Sequence, residues 1–134
     1  MEILKRFGGY PLVKTVLTTS DDLNIPRSTY DECVDYIVDL CGQAAELLPI
    51  TYATNQLGRA TKGAALALKA RTLLYAASPL FNDPTQVDDT FEHGKYDASK
   101  WEKAAEAAAA VIKLNTYGLY TDGKGYEDFF YTLD

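Results

Sequence analysis

Residues 58–82, GRATKGAALALKARTLLYAASPLFN, constrain the fold more than any other part of this chain. Thr61 is a favourable helix N-cap and Pro79 cannot continue a helix, so the spacing predicts a helix from about Thr61 to Ser78. Ala64, Ala65, Leu66, Ala67, Leu68, Ala70, Leu73, Leu74, Tyr75, Ala76 and Ala77 leave a narrow polar stripe at Lys62, Lys69 and Thr72. A helix apolar on most sides is expected to be surrounded by neighbours. Its alanines allow close approach of those neighbours, so Ala70→Phe is expected to overpack the core by about 1–3 kcal/mol.

Two further helices follow from the same reasoning. One is predicted from about Ser28 to Leu48, between Pro26 and Pro49, with Ser28 and Asp31 or Thr29 and Glu32 as its capping pair. Tyr30, Cys33, Val34, Ile37, Cys41, Ala44, Ala45 and Leu48 mark its buried face, while Asp31, Glu32, Asp35, Asp39 and Glu46 fall mostly on the solvated side. The other is predicted from Ser99 to Leu114, opened by a Ser99–Glu102 capping box and burying Trp101, Ala104, Ala105, Ala108, Val111 and Ile112. A last helical turn is expected from Tyr126 to Tyr131. Residues 1–27, punctuated by Gly8, Gly9, Pro11 and Pro26, read as an extended lead-in after a few helical turns at Met1–Phe7.

Charge and composition then exclude several functions. With 13 basic against 19 acidic residues the net charge is −6, opposite to what phosphate neutralisation by a nucleic-acid binder requires. Lys69 and Arg71 interrupt the longest apolar stretch below the roughly 18 residues of a membrane span. The N-terminus lacks the pattern of a secretion signal. Cys33 and Cys41 lie about 12 Å apart along one helix and some 80° apart around it, so they cannot bridge each other and read as small buried apolar residues. A single histidine, His93, and no C-x-x-C leave no metal centre. The acidic loop around Asp83, Asp88, Asp89 and Glu92 lacks the spacing of an EF-hand.

No catalytic set emerges either. One loop histidine supports no serine–histidine–carboxylate arrangement, no glycine motif cradles phosphate, and the paired carboxylates lie on solvated faces. The chain is expected to be no enzyme and to need no cofactor.

Trp101-x-x-Ala104-Ala105-x-x-Ala108 follows the spacing of the first helix of a tetratricopeptide unit. The expected fold class is therefore all-α, with tetratricopeptide-like antiparallel helix pairs in a single helical domain over 1–134. An ordinary antiparallel bundle would give the same periodicities.

Taken together, Arg6–Val13, Asn24–Glu32, Ala44–Pro49, Gly58–Asn82 and Trp101–Tyr120 resemble consecutive blocks of the SusD/RagB family. The resemblance implies a helical, lipid-anchored protein of the bacterial outer membrane. Such proteins capture oligosaccharides or other nutrients outside the cell and cover a SusC-type TonB-dependent transporter. Three departures mark this chain as a fragment of such a protein. It has no lipobox cysteine near the N-terminus, no helical region before Arg6-Phe-Gly-Gly9, and it stops where the family continues. Sugars are held by aromatic faces and by amides that fork onto hydroxyls, which makes Tyr52, Asn55, Gln56 and Tyr96 the candidate glycan contacts. The leading expectation is a non-catalytic scaffold portion of a glycan-binding protein. The alternative is a tetratricopeptide-type protein-interaction module.

Overall fold

The computed structural model describes residues 1–83, 85 and 96–119. Among these it is all-α, with no strand. Helix α1 spans Glu2–Phe7, α2 Tyr30–Leu47, α3 Lys62–Ala77 and α4 Ser99–Lys113, with a 3-10 turn at Thr54–Gln56 between α2 and α3. The three long helices therefore stand where the periodicity predicts them. The helical turn expected from Tyr126 to Tyr131, together with His93, Asp88, Asp89 and Glu92, lies outside the described residues.

Capping fixes the starts of the helices. The Thr29 hydroxyl accepts from the Glu32 backbone N–H at 3.2 Å, and the Glu32 carboxylate accepts from the Thr29 N–H at 2.8 Å, so the second of the two candidate pairs is the capping box of α2. Thr61 caps α3 through the Ala64 N–H, as expected. The start of α4 differs from the expected Ser99–Glu102 box. Ser99 is already helical, Ala98 offers no capping side chain, and Asp97 Oδ1 accepts from the Ser99 N–H at 2.9 Å instead. An ionised carboxylate two residues before the first helical position serves the Ser99 amide better than a serine inside the helix can.

The three long helices pack in chain order, each antiparallel to the one before. Tyr30 at the start of α2 stacks on Phe81 just beyond α3, with ring centroids 4.3 Å apart. At the other end the Lys62 N–H donates to the Pro49 carbonyl. The start of α4 returns to the beginning of α2, where Lys100 Nζ lies 2.7 Å from Asp31 Oδ1, and beyond the end of α4 the Tyr117 hydroxyl meets Thr61 Oγ1 at the start of α3. Helix α3 thus lies between α2 and α4. The principal core, Leu4, Tyr30, Cys33, Val34, Ala76 and Phe81, sits where α2 begins and α3 ends. Leu4 is the contribution of α1 to it.

Two burial patterns depart from expectation. Thr72, assigned to a polar stripe, is fully buried; its hydroxyl donates to the Leu68 carbonyl at 2.8 Å, which hides a polar group inside the helix's own hydrogen bonding. Helix α3 is not enclosed on every side, since Leu68 and Leu74 are exposed among the described residues. On α4 the buried positions are Ala104 and Ala107, whereas Ala105, Ala108 and Ile112 are exposed and Trp101 keeps 44% of its surface. Small side chains form the α3–α4 seam, Trp101 borders it beside Ala70 and Leu74, and Ile112 is exposed.

Candidate functional site

The four candidate contacts fall into two groups. Tyr52, Asn55 and Gln56 lie on the connection between α2 and α3, with Asn55 and Gln56 in the exposed 3-10 turn. Tyr96 precedes α4 and sits at the opposite end of the helices, near Asn82 and the start of α2. Helix α2 has 18 residues and so spans about 27 Å. The structure therefore brings Tyr52, Asn55 and Gln56 to one end and does not bring Tyr96 to them.

Each group has its own chemistry. The half-buried Tyr52 ring carries the Arg59 guanidinium 5.9 Å from its centroid, an aromatic-cation pair beside two exposed amides. That set can present a ring edge and hydroxyl-binding groups together. Tyr96 is 46% exposed and rests on a backbone anchored from below. The Asp97 N–H donates to Asn82 Oδ1 at 2.8 Å, and Asn82 Nδ2 donates to the Asp97 carbonyl at 2.9 Å. The Ser99 hydroxyl, then the Ser99 N–H, hold the Asp97 carboxyl below its usual range.

Clefts open between the helices, and sequence reasoning located none of them. One of about 410 Å³ lies over α3 between α2 and α4, with Val38, Leu66 and Leu73 among its apolar lining and Asp35, Lys69 and Lys103 among its charged groups. A cleft of about 260 Å³ lies between Ala70, Leu74 and Trp101, and one of about 300 Å³ between Leu40, Cys41 and Leu68. These need two helices to be placed side by side before they exist, so their only trace in the sequence is the alanine content of the seams.

Reactive chemistry is weakly represented among the described residues. No group of three metal-capable side chains comes together. Cys33 and Cys41 are free and buried, and burial pushes the Cys41 thiol up, away from the thiolate a nucleophile requires. Tyr75 is held below the usual phenol range first by the Arg71 side chain and then by Lys5, both of which lie over its ring. No helix among the described residues is long and apolar enough to cross a membrane.

Known proteins supply the remaining comparison. The profile of a SusD-like family, described as starch-binding and associating with the outer membrane, matches residues 2–74. A crystal structure of a SusD-like protein from Bacteroides fragilis is similar at a TM-score of 0.68 and 37% sequence identity, over 88% of this chain and 19% of that one. The chain thus spans about a fifth of that relative's length. Among curated proteins nothing matches. With more than half of its residues under the family profile and the same helical arrangement in a relative of this identity, the chain belongs to the SusD-like family.

Proposed function

We propose that this chain is a helical scaffold portion of an outer-membrane glycan-binding protein and that it performs no reaction itself. The observation that carries the reading is the match to a SusD-like protein at 37% identity across 88% of the chain. The family profile names starch as the ligand class of its members. Three antiparallel helices separate residues 52–56 from Tyr96, and these residues carry polar and aromatic groups suited to sugar. Tyr52, Asn55 and Gln56 form one contact point and Tyr96 a second. In the full-length protein they serve as separate contacts on an extended oligosaccharide rather than as one pocket. The partner of the assembled protein is a SusC-type TonB-dependent transporter, at the cell surface.

Calorimetry of the full-length protein with maltooligosaccharides tests this directly. Saturable binding with no release of new reducing ends is expected, and Tyr52→Ala is expected to weaken it. Hydrolysis of the glycan would overturn the non-catalytic role, and failure to bind any glycan on an array would overturn the ligand class. Co-purification with the transporter from outer membranes tests the partner. The cleft over α3 favours a second reading, the tetratricopeptide-type interaction module. Peptide binding that Lys69→Ala abolishes, in a protein that ignores glycans, would favour that module.

A further inference from the structure

Asn82 is 4% exposed, which is costly for an amide unless its hydrogen bonds are made. Its oxygen and its nitrogen each find a partner, and both partners belong to one residue. Its Oδ1 accepts from the Asp97 N–H at 2.8 Å and its Nδ2 donates to the Asp97 carbonyl at 2.9 Å, across 15 positions of chain. The amide thus substitutes for a neighbouring strand and pins the peptide planes on both sides of Asp97. One of those planes carries the Tyr96 carbonyl and ends at the Tyr96 Cα, so the main chain that bears Tyr96 is anchored on its C-terminal side from inside.

The clamp is anchored at its other end by the core. Asn82 directly follows Phe81, which is buried and stacked on Tyr30 at a plane angle of 14°. Downstream, the pinned Asp97 uses its carboxylate on the Ser99 N–H and hydroxyl, both at 2.9 Å, and one residue later Lys100 reaches Asp31 at 2.7 Å. Core, clamp, helix start and inter-helix ion pair form one connected path. A hydrogen-bonded side chain in such a network is coupled to its neighbours more than to distant positions.

We propose that Asn82 is a positioning residue that acts through Asp97 to anchor the main chain from which the exposed Tyr96 reaches ligand. The inference rests on the glycan-contact reading of Tyr96. Ordering that stretch of main chain before ligand arrives removes part of the entropy that binding would otherwise cost. Replacing the clamp leaves the ring present on a looser main chain.

The test is a double-mutant cycle in the full-length protein, with maltoheptaose as the probe and calorimetry as the readout, alongside hydrogen exchange at the Asp97 amide. Asn82→Ala is expected to weaken binding at least about threefold, as for coupled neighbours, and to raise exchange at Asp97. In the Tyr96→Ala background the same substitution is expected to change affinity no further. Asn82→Asp, of nearly the same shape, keeps the acceptor for the Asp97 N–H and loses the donor. Its buried carboxylate then faces the Asp97 carbonyl, so it is expected to weaken binding at least as much as Asn82→Ala. Asn82→Ser, which removes the reach to Asp97 and keeps a polar side chain, supplies the same reading if Asn82→Ala does not fold. Equal weakening with and without the Tyr96 ring, or an Asp97 amide that stays protected in Asn82→Ala, would overturn the clamp. Tyr96→Ala that binds as well as the parent overturns the glycan role of Tyr96 itself. Tyr96→Ala that loses affinity beside an Asn82→Ala that keeps it overturns the clamp alone.

Discussion

Gly9 and Gly63 occupy equally crowded places and should respond to alanine very differently. A Cβ at Gly9 would fall against the Ser28 carbonyl oxygen and close to backbone atoms of Thr29 and Tyr30, all held by the start of α2. Nothing there can give way, so Gly9→Ala is expected to destabilise the protein by about 1–3 kcal/mol. A Cβ at Gly63 would meet the outer end of the Tyr117 ring, which is exposed and can swing away at the loss of its hydrogen bond to Thr61. Alanine also favours a helix over glycine by about 1 kcal/mol, so Gly63→Ala should stay within about 1 kcal/mol of the parent. Urea denaturation of both variants checks the contrast, and equal losses would contradict it. Only half of this was legible beforehand. Gly8-Gly9 announces the end of α1, but the close approach to Ser28 joins residues 19 apart in sequence and exists only once α2 is docked.

At the scale of elements, local chemistry wrote the helix starts with uneven clarity. Thr29 and Thr61 cap as their positions imply because each hydroxyl lies immediately before an apolar-periodic run. The start of α4 was misread because Asp97, two residues ahead of the first helical position, competes with Ser99 and wins by carrying charge. A consequence is acid sensitivity at that end. The native Asp97 carboxyl lies below its ordinary value of 3.8, so its contribution is fully present above about pH 4 and is lost as pH falls through the native value. An NMR titration of the Ser99 amide should therefore show a midpoint below 3.8. Asp97→Asn, which keeps an acceptor oxygen without the charge, should abolish the step. A midpoint at or above the ordinary value would remove the cap from the account of α4.

For the whole molecule, periodicity identified which helix is central but not which of its sides are closed. The helix placed in the middle by its composition is indeed the one between α2 and α4, because an all-round apolar helix gains most from two neighbours. The candidate contacts were less legible: Tyr52, Asn55 and Gln56 are adjacent in sequence and stay together, whereas Tyr96 is separated from them by the length of α2. Chemistry by residue type cannot reveal such a separation. The same distinction revises the effect of filling α3. Ala77 is fully buried and Ala76 nearly so beside the core, while the half-buried Ala70 borders the cleft of about 260 Å³ with Leu74 and Trp101. Ala77→Leu should therefore force the core apart and cost about 1–3 kcal/mol. Ala70→Phe, expected from sequence to do the same, should instead lay its ring in the cleft against Trp101 and cost less. The sole tryptophan makes this visible in one experiment, since Ala70→Phe should shift Trp101 emission to the blue with little change in the unfolding midpoint. A large destabilisation with unshifted emission would mean that the cleft is closed in solution and that α3 is enclosed on that side after all.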